Sequence, residues 1–147
     1  MFYQLKVAEE KDLNKLTAFA NKAGVNSEGF PELIDQFILM EDGNHELVAC
    51  IGIEPVNEDG ILRSLVVSDK LKQAHILTLF QSAQTLSRQK GMKYLYLITN
   101  NKASIDFLIM MGFEEISTEE VPVHLLNTDH MRSCLVENDK IVMVKEA

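Results

Sequence analysis

The chain has 147 residues, a length that suits one domain, 1–147, and buries roughly 70% of its unfolded-chain surface, so folding calls for neither a disulfide nor a metal. Hydrophobic residues make up 46% and charged residues 24%, the balance of a globular chain rather than a disordered one. The formal charge of −8, with no basic run to interrupt it, opposes nonspecific binding to nucleic acid or to anionic membranes.

In chain order, Phe2 to Val7 alternates and is rich in strand formers, so it reads as a strand. Glu9, Glu10 and Asp12 then precede Leu13, Leu16, Phe19, Ala20 and Ala23, which is helical spacing with acids at the positive end of the dipole, and Gly24 stops it. Asn26 to Leu33 reads as a loop with a short helix. Gln36 to Met40 is a strand, Asp42-Gly43-Asn44 a turn, and Glu46 to Glu54 the returning strand. After the turn Asn57-Glu58-Asp59-Gly60, a third strand runs from Ile61 to Val67. From Asp69 to Lys90 the period is helical, with Ile76, Phe80, Ala83 and Ser87 on one stripe, and Gly91 ends it. Lys93 to Ile98 is a strand. Asn100 or Asn101 caps a helix that runs to about Met111. Gly112-Phe113 opens another strand, Pro122 lies in a loop, and Lys140 to Val144 is a last β-rich run. The order β-α-(α)-β-β-β-α-β-α-β-β predicts an α+β fold. Its central sheet is mixed and mostly antiparallel, with helices on both faces and one parallel pair in the βαβ unit from Ile61 to Ile98.

Cys50 and Cys134 sit beside apolar residues and form no CxxC pair, so no disulfide framework is expected. The start Met1-Phe2-Tyr3-Gln4-Leu5-Lys6 lacks the layout of a signal peptide, and no run of about 20 apolar residues exists. The cytoplasm is the expected compartment. His45, His75, His124 and His130 show no metal-ligand spacing, and no metal is expected. Cys134 near His130 lacks any signature of a thiol nucleophile and reads as an inert cysteine. Met110, Met111 and Met143 read as core residues.

The junction from Val67 to Leu77 is a candidate anion site, because free N–H groups at a helix N-terminus attract phosphate. The stretch Gly60-Ile61-Leu62-Arg63-Ser64-Leu65-Val66-Val67 before it resembles the fourth strand of the GNAT superfamily of N-acetyltransferases. The likeness is to the small amino-acid-type branch, with its arsenic-resistance and N-acetylglutamate-synthase-like members. Gly91 to Thr99 resembles the fifth strand, Ile105 to Phe113 the helix that ends in Gly-Phe, and Pro122 and the tail from Ser133-Cys134 to Met143 the same branch. The resemblance covers nearly the whole chain. It implies transfer of an acetyl group from acetyl-CoA to the amine of a small molecule, such as an amino acid.

In that family the pantetheine arm pairs with the fourth strand, here Leu65, Val66 and Val67, and the pyrophosphate rests on the following loop, here Lys72, Gln73, Ala74, His75, Ile76 and Leu77. Asn101 is counted with these cofactor positions. The family loop reads Arg/Gln-x-x-Gly-x-Gly/Ala; Lys72 stands for the basic residue, and His75 and Leu77 occupy the two glycine positions. A residue forced to positive φ there adds roughly 1–2 kcal/mol of strain, so weakened phosphate binding is expected. The helix tyrosine that serves many members as acid corresponds to Leu108. Glu54 is the candidate base and Arg63 the candidate partner of a substrate carboxylate; the same two residues also read as an ordinary strand-end carboxylate and a structural ion-pair member. Three functional readings result. One is an acetyltransferase. Another is a non-catalytic module of the same fold, binding or dimerising, with weak or no acetyl-CoA binding. The third is an α+β domain whose function does not use this cleft. Exposed sheet edges suit a homodimer in each case.

Overall fold

The computed structural model describes residues 2–100, 102–135 and 140–147. Its strands are β1 (Gln4–Val7), β2 (Phe37–Glu41), β3 (Leu47–Val56), β4 (Asp59–Val67), β5 (Tyr94–Thr99), β6 (Glu114–Ile116) and β7 (Ile141–Glu146). They form one sheet in the order β1-β2-β3-β4-β5-β7-β6. Every neighbouring pair is antiparallel except β4 and β5, which are parallel. The helices are α1 (Leu13–Lys22), α2 (Phe30–Leu33), α3 (Gln73–Gln89), α4 (Lys102–Met110), α5 (Val123–Leu126) and α6 (Asp129–Cys134). This is the expected α+β architecture, a mixed and mostly antiparallel sheet with helices on both faces.

Both faces are covered, which explains why the central strands read as continuous apolar runs. Ile38, Met40, Ala49, Ile51, Ile53, Leu62, Leu95, Leu97 and Met143 point to one side and pack on Leu79, Phe80 and Ala83 of α3 and Leu108 of α4. Their sequence neighbours point the other way. Phe37, Leu39, Cys50 and Val66 meet Leu16 and Ala20 of α1 and Phe30 of α2, while Ile61, Tyr96 and Val142 meet Leu125 of α5 and Met131 of α6. Two buried acids tie α1 to the sheet: Glu41 pairs with Lys15, and Asp12 accepts from the Glu9 N–H at 2.9 Å and from Lys6 Nζ at 3.1 Å. Burial opposes ionisation of Asp12, but those two donors outweigh it and hold its carboxyl below the usual range.

The elements depart from expectation in three places. The long helix begins at Gln73 rather than Asp69, because Lys70 and Leu71 turn back on Ser68 instead of propagating a helix. Segments 123–126 and 129–134 are helical, where the sequence pattern assigns no element between the loop at Pro122 and the last β-rich run; each is too short to show a period. Of the three methionines expected in the core, Met143 is fully buried, but Met110 is 65% exposed because it ends α4 on the outer side. No helix among the described residues is long and apolar enough to cross a membrane.

Gly52 has a packing reason. A Cβ there would lie 2.8 Å from the Phe37 ring, which covers it from the opposite strand. Gly52→Ala should destabilise the fold by about 1–3 kcal/mol through overpacking, read as a lower midpoint in urea unfolding with an unchanged slope.

Candidate functional site

The site begins with a defect in β4. Gly52 pairs with Arg63 and Cys50 with Val66, so two residues of β4, Ser64 and Leu65, oppose Ile51 alone. This is a β-bulge, and it reverses the alternation: Ile61 and Val66, five residues apart, both face the side of α1, α2, α5 and α6. Ser64 takes φ 56°, the left-handed region, at the bulge. The Cys50 thiol donates to the Ser64 carbonyl at 3.4 Å, and burial pushes that thiol up to about 12, which leaves it inert.

On its other edge β4 pairs with β5 only at Gly60 with Leu95 and Ile61 with Tyr96. Beyond Ile61 the two parallel strands diverge. Backbone groups of β4 that a neighbouring strand would engage are left open, and a cavity of about 370 Å³ fills the split. Leu65 and Val67 of β4, Ile76 and Phe80 of α3, Thr99 of β5 and Leu108 of α4 line it, together with Arg63 and His130. On the opposite face lies a second cavity of about 520 Å³, bounded by Glu28, Glu54, Asp129 and, again, Arg63 and His130. A sheet normally separates its two faces; here the split strands let two cavities meet across it.

Glu54 and Arg63 are diagonal neighbours on β3 and β4 and form an ion pair, Oε1 to Nη1, at 2.5 Å. Both side chains are about one-fifth exposed, and the pair engages one of the two terminal guanidinium nitrogens. His130 comes from α6. Thr128 caps that helix by accepting from the Met131 N–H at 3.2 Å, and the fully buried Met131 anchors it. Burial lowers the His130 pKa below its ordinary value and the Arg63 charge adds to this, while Glu54 opposes it.

The helix end above the split differs from expectation. His75 and Leu77 lie inside α3 with no positive φ, so the strain foreseen at those positions is not there. Neither lines the split. The His75 ring turns back so that Nδ1 accepts from the Lys72 N–H at 3.1 Å, and it stands T-shaped to the Tyr3 ring with centroids 4.8 Å apart, while Leu77 faces a separate cavity that Leu95 and Phe113 also line. Lys72 is the N-cap, and the N–H groups of Gln73 and Ala74 have no partner among the described residues. Asn101 lies outside the described residues. His130 was weighed in the sequence only for a thiol or a metal; Thr128-Asp129 ahead of it, a cap followed by an acid, is the one local signal that it stands on a helix.

The split sheet, the bulged fourth strand and the helix that starts above the split make this the fold of the GNAT N-acetyltransferases. It aligns with N-acetylglutamate synthase from Neisseria gonorrhoeae, solved with coenzyme A and N-acetyl-glutamate, at a TM-score of 0.79 and 17% identity; 99% of this chain is covered, and it spans only 35% of that longer protein. An acetyltransferase of the GNAT family from Staphylococcus aureus matches at 0.72 and 15% identity over 99% of both chains. PaiA N-acetyltransferase from Thermoplasma acidophilum, solved with coenzyme A, matches at 0.69 and 16% identity over 100% of both. More narrowly, the chain belongs to the family of the uncharacterized protein YwlB of Bacillus subtilis (strain 168), with 44% identity over 146 residues, 99% of this chain and 98% of that one. No family model matches it.

Ser64 tests the bulge. Ser64→Val places a β-branched residue at positive φ and should cost about 1–2 kcal/mol, whereas Ser64→Gly should be close to neutral, both measured by denaturant unfolding.

Proposed function

We propose that the protein transfers an acetyl group from acetyl-CoA to the amine of a small molecule, amino acids among the candidate acceptors. The observation that carries this reading is the split between β4 and β5, which offers an open strand edge and joins a cleft on one face to a polar cavity on the other. Coenzyme A in the Neisseria and Thermoplasma structures, and N-acetyl-glutamate in the former, support it.

The residues present fit the cofactor. The backbone of Leu65, Val66 and Val67 offers hydrogen bonds of strand type to the amides of a pantetheine arm. At the start of α3 the N–H groups of Gln73 and Ala74, without a partner among the described residues, the helix dipole and the exposed Lys70 and Lys72 favour phosphate. Because His75 engages the Lys72 N–H, one donor of that cradle is already committed, so phosphate affinity is reduced rather than lost. Acetyl-CoA supplies the activated thioester; the chain positions it and handles protons. Glu54, on the acceptor side, suits attraction and deprotonation of an ammonium group, and Arg63 suits orientation of an acceptor carboxylate through its remaining N–H groups.

The competing reading, a non-catalytic binding or dimerising module, drew on the bulk of His75 and Leu77. Both side chains are turned away from the split, and the replacement of tyrosine by Leu108 is what remains in its favour.

Calorimetry with acetyl-CoA and with S-acetylpantetheine tests the reading, followed by thiol release with a panel of amines. Acetyl-CoA should bind, and Lys72→Ala should weaken it about 2- to 5-fold while leaving S-acetylpantetheine unaffected. No binding of acetyl-CoA at millimolar concentration would overturn the proposal.

A further inference from the structure

Acetyl transfer to an amine leaves one proton too many on nitrogen and one too few on sulfur. Leu108, at the cleft wall, has no proton to give. Glu54 lines only the acceptor cavity and is held by Arg63. Thr99 and Ser104 line the cleft with hydroxyl groups, which are poor acids at neutral pH. Among the described residues, Arg63 and His130 are the two side chains that border both cavities, and a guanidinium does not titrate in a protein.

Resting on the proposed acetyl transfer, we infer that His130 carries the proton from the acceptor nitrogen to the departing thiolate. Starting from the free amine, nitrogen forms the new C–N bond to the acyl carbon, and the imidazole takes the surplus N–H proton. As the C–S bond breaks, the imidazolium gives that proton to the thiolate, and His130 ends neutral, as it began.

The surroundings suit this cycle. The titratable and charged groups around the ring are Glu28 before α2, Glu54 on β3, Arg63 on β4, and Asp129 and Cys134 on α6. Burial first, and then the Arg63 charge, lower the His130 pKa against the opposing Glu54 charge and so favour the neutral imidazole that can accept a proton. The proton it takes is then readily released, because an ordinary thiol holds it more tightly than a histidine does. The Cys134 sulfur stands 3.9 Å from Nδ1 and 3.8 Å from Nε2, nearly equidistant, so it packs against the ring rather than aligning with one nitrogen. No closer partner among the described residues engages either nitrogen. Thr128 and Met131 fix the backbone on both sides, so the ring is aimed by a capped and anchored turn.

His130→Gln keeps approximate size and polarity and removes the titration. It should bind acetyl-CoA with unchanged affinity by calorimetry, lower kcat by about 10²- to 10⁴-fold, and lose the acidic limb of the kcat/KM pH profile. Imidazole added to His130→Ala should restore part of the rate. In the unmodified protein, the His130 ring resonances should titrate below the ordinary histidine value and shift when acetyl-CoA is added, a readout independent of turnover and of any variant's folding. Cys134→Ala should leave the acidic limb in place. Retention of kcat and of the acidic limb in His130→Gln would overturn the inference while the acetyltransferase reading stands. So would ring resonances unmoved by acetyl-CoA, or loss of the limb in Cys134→Ala alone. If the unmodified protein binds no acetyl-CoA, the function itself fails first, and the two failures are thereby separated.

Discussion

β4 has two neighbours and satisfies them unequally. Along β3 it pairs over most of its length, with one bulge at Ser64 and Leu65; along β5 it pairs at Gly60 and Ile61 and then departs. The bulge is what makes the departure compatible with a packed core. By reversing the alternation it keeps Leu62 under α3 and returns Val66 to the layer beneath α1, so both faces remain filled while the strand bends. The open backbone edge lies at that departure, and Arg63 and His130 both border the two cavities that meet there.

The apolar layers hold the defect open. α3 and α4 close one side through Leu79, Phe80 and Leu108, and the short helices α5 and α6 close the other through Leu125 and Met131. These short helices would be unstable alone, because nucleating a helix fixes several residues for a single hydrogen bond. Their buried anchors supply what length does not, and they deliver His130 to the rim of the split. The polar groups at the rim are few and coupled: Glu54 holds Arg63, and Arg63 in turn helps to keep His130 uncharged. The aligned GNAT structures share this frame at 15–17% identity, so the frame is carried by packing pattern more than by particular residues.

Much of this was legible in the residues. The meander followed by a βαβ unit could be read because strands buried on both faces form apolar runs and because α3 is long enough to show its period. The Leu62 to Val67 stretch and the Gly-Phe that follows α4 marked the fold; Glu54, at a strand end, and Arg63 were read as candidates, and the structure pairs them. The loop without glycines was misread in its consequence. Its positions were assigned to strained backbone, yet the helix includes His75 and Leu77 at ordinary φ; His75 packs on Tyr3 and bonds the Lys72 N–H, and Leu77 faces a cavity other than the split. His130 was passed over because its role depends on what it faces, not on its neighbours in sequence.

The sequence by itself determined the layered α+β fold, its parallel unit and the long helix that follows β4, because each rests on local periodicity and short-range turn chemistry. Only the tertiary structure decided where β4 bulges, that His75 turns away from the cleft, and that Arg63 and His130, 67 residues apart, share the seam between two cavities. The physical reason is that strand register, side-chain direction and cavity shape are set by contacts between distant segments, which no local pattern records.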